Sequence, residues 1–417
     1  MKRTFSFLAS PAALVGSGTA FIAATYGLVR LAYGLFLPDV QDSIGLGDGP
    51  AGWIASGSSI VYVIGALLGF LVAPARPRTA LLLAALTAGL GVGGMAASTG
   101  PLVFGVAAVI SSAGAGLASP ALVRLVQRDL PAGRVNGAQA VVNSGTGPGL
   151  VAAGILALVL LPGWRTAWAV AAVVTVVTGA AVLLADRAAA AAPSDSDPVA
   201  AFPPRTWFAA HGRPVLVALL LGAGSAAVWT YGRTLLVDAG APTTLSVVAW
   251  IALGVGGATV ALTARWLGRL PARTAWTRTA AAVAVATLGL GLAPQVNGAA
   301  LTAVALLCCA LFGWGYTAAT GALITWTTEL DRDRAAAGTS VLFVVLVLGQ
   351  ALGAAAAGGA LPVVGAAPVF IAAAVAVALG VVPAVRSPRR CPARPSSPRS
   401  TPAEQAADAA SPPRGTR

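Results

Sequence analysis

The chain has 417 residues, 57% of them hydrophobic and 9% charged, with a formal net charge of +13. Its mean hydropathy is +0.83. So few charges cannot cover the surface of a soluble domain of this length. The basic excess does not mark a nucleic-acid partner, because it lies between apolar runs and in the termini, where it reports membrane orientation.

A run of about 20 apolar residues crosses the hydrocarbon core as a helix. In chain order such runs occupy 14–37, 51–73, 79–98, 101–123, 136–161 and 165–185, then 214–237, 244–265, 275–293, 298–326, 336–360 and 363–385. The fold expected is all-α: twelve transmembrane helices in two six-helix halves, 14–185 and 214–385. Residues 1–13 form a cytoplasmic N-terminus. Lys2 and Arg3 precede the first run as in a signal peptide, but the run continues past Arg30 to Pro38, so it reads as a retained helix. Residues 186–213 are the one long polar connection and read as a flexible cytoplasmic linker, with a short surface helix around Trp207 and His211 as a surface residue. The Pro-, Ser- and Arg-rich stretch 386–417 reads as a disordered basic tail.

Orientation follows from the arginines. Apart from Arg30, Arg165 and Arg233, the basic residues fall in alternate connections or the termini, among them Arg76, Arg78, Arg128, Arg269 and Arg332. The intervening loop 38–50 is acidic, with Asp39, Asp42 and Asp48. Both termini are therefore expected in the cytoplasm, as an even number of spans requires.

The second half echoes the first. Gly52-Trp53-Ile54-Ala55 is answered by Ala249-Trp250-Ile251-Ala252, and Pro74-Ala75-Arg76 by Pro271-Ala272-Arg273 at the same offset. Tyr33-Gly34 and Tyr231-Gly232 follow with a small drift. Duplicated six-helix units related by an axis along the membrane normal are one architecture of secondary transporters.

Few polar groups interrupt the apolar runs. Arg30 lies well inside the first run, and Tyr26, Arg30 and Tyr33 share one face of a regular helix. That face reads as a cavity wall, with Arg30 serving either a substrate or a structural bond to carbonyls. Gln139 and Asn143, Tyr231, Tyr316 and Gln350 are the other substrate-binding candidates. Arg233 lies near the outer end of its run and reads as a side chain that snorkels to the headgroups. Gly145 and Gly149, four apart, form a small-residue face, and Pro148 removes a backbone donor beside it; with Gly147 the stretch reads as a gate or as close static packing. Every acid lies in a loop, a helix end or the tail, so no central carboxylate offers itself as a proton carrier. No nucleophilic triad, metal cluster, phosphate loop or cofactor motif appears, which argues against an enzyme or an ATP-driven pump.

In helix count, topology, central linker and internal repeat, the chain resembles the major facilitator superfamily. Within it, Arg30-Leu31-Ala32-Tyr33-Gly34-Leu35-Phe36-Leu37-Pro38 is similar to a signature of the YbfB-like bacterial group. Where the superfamily carries a Gly-x-x-x-Asp-Arg-x-Gly-Arg-Arg loop motif, Gly69, Arg76 and Arg78 are kept but Ala73 stands in place of the acid. Asn143 to Gly149 resembles the Gly-Pro-rich helix-five motif of antiporters without its closing glycine pair. The resemblance implies a permease of the bacterial inner membrane that moves a small organic molecule by alternating access, with efflux favoured over uptake. Family habit implies a proton as coupling ion. Uptake or exchange of a small organic anion, and a sensor or scaffold without flux, are the alternatives. A monomer in the bilayer is expected.

Overall fold

The computed structural model describes residues 10–186 and 204–382. The N-terminal residues before Ser10, most of the linker (187–203) and the tail from 383 lie outside the described residues. Within the described residues twelve helical rods follow one another: α1 (Pro11–Ile44), α2 (Asp48–Val72), α3 (Pro77–Ala97), α4 (Pro101–Asp129), α5 (Ala132–Asn143 and Thr146–Leu160) and α6 (Trp164–Ala185). Then come α7 (Arg205–Asp238), α8 (Thr243–Ala258 and Val260–Leu267), α9 (Ala272–Gly291), α10 (Gly298–Leu330), α11 (Ala335–Val364) and α12 (Ala366–Leu379). Ten of them are long and apolar enough to cross a membrane, α9 and α12 being the two outside that set.

Large apolar side chains cover the outside. Leu71, Leu102, Leu262 and Val363 are all more than three-quarters exposed. Such a surface would aggregate in water and is stable only against lipid. The bundle interior is made of small residues and aromatics, with Trp168, Trp276 and Trp326 fully buried.

Glycines set the helix spacing. A Cβ on Gly145 would lie 2.3 Å from the Thr19 carbonyl oxygen, and one on Gly149 2.2 Å from that of Ala23, so α5 rests directly on the α1 backbone. The same contact recurs between α11 and α7: Gly349 meets the Leu219 carbonyl at 2.3 Å and Gly353 that of Ala223 at 2.1 Å. Lipid supplies no hydrophobic drive for helix pairing, so backbone-to-backbone contact of this kind carries much of the association. The tryptophans of the sequence repeat do not match in this way: Trp53 is 67% exposed and Trp250 2% exposed. The Trp-Ile-Ala echo therefore marks no shared environment, whereas the glycine contacts do.

Two further expectations change. Trp207 and His211 do not sit on a separate surface helix, because α7 runs unbroken from Arg205. His211 is 2% exposed, stacked on the Trp207 indole at 3.8 Å between ring centroids, with Nδ1 bonded to the Trp207 carbonyl oxygen. The helical i, i+4 spacing turns both rings inward, which composition alone did not reveal.

Candidate functional site

The helix carrying Arg30 is not regular. Residues Ala23–Arg30 are wound as a π-helix, closed by a bond from the Leu31 amide to the Tyr26 carbonyl. The wider turn lies beside Gly27 and Gly149, whose backbones meet where a Cβ on Gly27 would fall 2.3 Å from the Gly149 carbonyl carbon. Single π turns inside α-helices re-aim side chains and often accompany functional sites. Here the turn points Arg30 across the bundle toward the second half.

The Arg30 guanidinium donates from Nη2 to Oε1 of Gln350 on α11 at 3.1 Å. Gln350 in turn donates from Nε2 to the Tyr316 hydroxyl on α10 at 3.0 Å. On its other side Arg30 stacks on the ring of Tyr62 on α2, 4.3 Å from the centroid, and the Tyr62 and Tyr26 hydroxyls share a 3.0 Å hydrogen bond. A continuous polar chain Tyr26–Tyr62–Arg30–Gln350–Tyr316 thus joins α1 and α2 to α10 and α11. Among the described residues no carboxylate pairs with Arg30, since every ion pair found there involves Arg78, Arg128, Arg233 or Arg334.

Above this chain lies a cavity of about 60 Å³, lined by Arg30, Tyr33, Trp229, Thr230 and Gln350 together with four serines: Ser58 and Ser59 of α2, and Ser111 and Ser112 of α4. It has room for a few waters and is too small for a typical organic ligand in this state. Trp229 forms the apolar wall, edge-on to Tyr316 at 5.4 Å and to Phe312 at 5.6 Å, and its buried indole N–H has no partner.

Four of the residues expected to bind substrate come together in the polar chain and the cavity beside it: Arg30, Tyr26, Tyr316 and Gln350. Tyr33 lines the same cavity while its hydroxyl donates to the Ala51 carbonyl at 3.0 Å. The others lie apart. Tyr231 donates to the Asp48 carbonyl at 2.7 Å, in the seam where Gly52 on α2 meets Gly358 on α11. Gln139 donates to the Val123 carbonyl at 3.2 Å and so ties α5 to α4, and Asn143 is exposed at the end of the first α5 segment. Of the four gate positions, Gly145 and Gly149 carry the close approach to α1, Gly147 faces open space, and Pro148 is exposed. Pro148 cannot donate to the Ser144 carbonyl, and the two α5 segments part at Ser144 and Gly145.

Arg233 does not reach the headgroups. It is 2% exposed and forms an ion pair with Asp39 on α1. Its Nη1 also donates to the Leu35 carbonyl at 2.6 Å, and its Nε to the Ser246 hydroxyl at 3.1 Å. Asp39 is 194 residues away in the chain, so the sequence around Arg233 held no sign of its partner. Tyr62 and the four serines were also missed as site residues, although polar Ser58, Ser59 and Tyr62 at helical spacing within one apolar helix were a readable signal.

A bundle of membrane-length helices around a polar internal cavity, with a lipid-compatible outside, defines a multi-pass membrane protein of transporter architecture. The family profile described as the Major Facilitator Superfamily matches residues 19–354, and the chain belongs to that superfamily. Among solved structures it is similar to the nucleoside transporter NupG (TM-score 0.73, 13% identity, covering 91% of this chain and 99% of that one). It is similar also to a D-xylose-proton symporter (TM-score 0.71, 14% identity, 90% and 97% covered). A third is a bacterial homolog of the human lysosomal transporter Spinster, solved inward-facing and unoccupied (TM-score 0.64, 16% identity, 92% and 95% covered). At such identities the likeness is one of fold. No curated protein matches the sequence.

Proposed function

We propose that this chain is a permease of the bacterial inner membrane that carries a small organic anion by alternating access. The observation that carries the reading is Arg30: a guanidinium in the central cavity that donates to a neutral amide, Gln350. A planar, permanently charged fork suits a carboxylate or phosphate, and the serines beside it can donate to the remaining oxygens. Trp229 and Tyr33 would cover an apolar portion.

The architecture we propose has twelve spans in two halves, 14–185 and 214–385, with both termini cytoplasmic. The paired glycine contacts of α5 on α1 and α11 on α7 support it, as does the length of α9, 20 residues or about 30 Å. The Gly-Pro stretch of α5 supports export over import, and the segment 30–38 supports placement near the YbfB-like group.

Thermal stabilisation of purified protein tests the anion. Benzoate, pyruvate and succinate should be set against neutral uridine and xylose. A ligand at a hundredfold excess over its Kd stabilises by about 2.7 kcal/mol. At least one carboxylate should raise the Tm of the parent protein but not of Arg30→Ala. Stabilisation by uridine or xylose, with no response to any carboxylate, would sink the reading.

A further inference from the structure

The charge balance of the cavity bears on how the carrier cycles. Arg30 is held by Gln350 and by the Tyr62 ring, both neutral, and the cavity lining contains no acid. The nearest acid on its own helix, Asp39, is already engaged by Arg233. In the present state the seam between α2 and α11 is shut: Tyr231 bonds to Asp48, and Gly52 lies against the Ala354 carbonyl and Gly358.

To expose the site on the Asp48 side, a carrier must pass through a form closed at both ends. Water then leaves the cavity, and an uncompensated guanidinium is left in a low-dielectric interior. That is among the costliest arrangements a membrane protein can adopt. A stacked tyrosine and one amide oxygen offset part of the cost and supply no charge. A bound anion supplies it.

From this we infer that the chain is an obligatory exchanger: it changes orientation with an anion on Arg30 and stalls when empty. The inference rests on the anion reading above and goes beyond it, since an anion carrier with an acid poised beside Arg30 could return empty. In transport terms, export of one anion requires entry of another, with no proton carrier in the cavity.

Gln350 makes the inference testable without knowing the substrate. Gln350→Glu places a carboxylate where the amide oxygen meets Arg30, so the cavity becomes neutral when empty. Spin labels on Pro50→Cys and Gly359→Cys, at exposed positions flanking the seam, would report its opening by electron–electron distance measurement. Cys308, Cys309 and Cys391 would first be replaced by serine, and the protein placed in ligand-free nanodiscs. The parent should show one short distance. Gln350→Glu and Arg30→Gln should each add a longer one, with the open-to-closed ratio raised at least tenfold.

Gln350→Ala serves as the control, because it breaks the bond to Arg30 without adding a charge, and its seam should stay shut. If Gln350→Ala opens as far as Gln350→Glu, the bond and not the charge holds the seam, and the exchange inference falls. Distances unchanged in both Gln350→Glu and Arg30→Gln would also overturn it. Neither result touches the carboxylate stabilisation described above, so the two readings fail separately.

Discussion

Arg233 on α7 forms an ion pair with Asp39 on α1, and the pair ties the two helices together near the Asp48 end of the bundle. The arginine is buried, whereas the carboxylate keeps a small opening at the margin of a groove lined by Asp42, Ser43, Trp164 and Arg165. Removing one partner leaves the other charge buried and unpaired, which costs about 3 kcal/mol, while replacing both with apolar residues is close to neutral. Asp39→Asn should therefore lower the Tm more than the double substitution Asp39→Leu with Arg233→Met. Thermal unfolding in detergent checks the order, and a double variant as unstable as the single one would refute it.

The glycines of α5 should divide sharply. Gly149→Val pushes branched methyls toward the Ala23 carbonyl and should abolish the α1–α5 contact and most of the folded yield. Gly147→Ala meets open space and gains helix propensity, so it should be neutral or stabilising by up to about 1 kcal/mol. Size-exclusion profiles and Tm values of the two variants give the answer.

Tyr62 acts through its ring more than its hydroxyl. Tyr62→Phe loses the bond to Tyr26 but keeps the face under Arg30, and should retain carboxylate-induced stabilisation within about threefold of the parent. Tyr62→Leu loses the cation–π contact, worth about 1 kcal/mol or a factor of about 5 in affinity, and the seat of the guanidinium with it. Titrations of both variants with the stabilising carboxylate distinguish them.

Arg30→Lys keeps the charge and loses the planar fork, so two parallel hydrogen bonds to one carboxylate become impossible. Carboxylate affinity should fall by about tenfold or more, with expression unchanged, and Arg30→Ala should lose it entirely. Normal affinity in Arg30→Ala would make Arg30 a structural residue.

Membrane orientation is open to a direct check. Single cysteines at Asp42 and Asn297, both exposed at one end of the bundle, should react with an impermeant maleimide on intact cells. Cysteines at Arg76 and Arg269, exposed at the other end, should react only after permeabilisation. The reverse pattern would overturn the placement of the termini.

The all-helical membrane fold was legible in the sequence, because any polypeptide crossing lipid must satisfy its backbone internally over about 20 apolar residues. Arg30, Tyr316 and Gln350 were legible for the same reason: a polar side chain inside such a run is costly unless it faces the interior. Their mutual contact was not. Gln350 and Arg30 are far apart in the chain, and the packing of α11 on α7 and beside α2, together with that of α1 on α7 at Gly34, brings them together. The π turn at Ala23–Arg30 likewise breaks the 3.6-residue period on which the expected Tyr26–Arg30–Tyr33 face rested, so Tyr26 reaches the site only through Tyr62. Arg233 and His211 show the other limit. Nearness to a helix end suggested headgroups for Arg233 and a polar linker suggested solvent for His211, yet burial is decided by what packs around each side chain, here Asp39 for one and the Trp207 ring for the other. Sequence alone marked the long apolar segments and the polar groups that lie within them. Tertiary structure decided which of those groups meet, because partner choice across helices depends on small-residue contacts and local helix winding that no single-helix periodicity encodes.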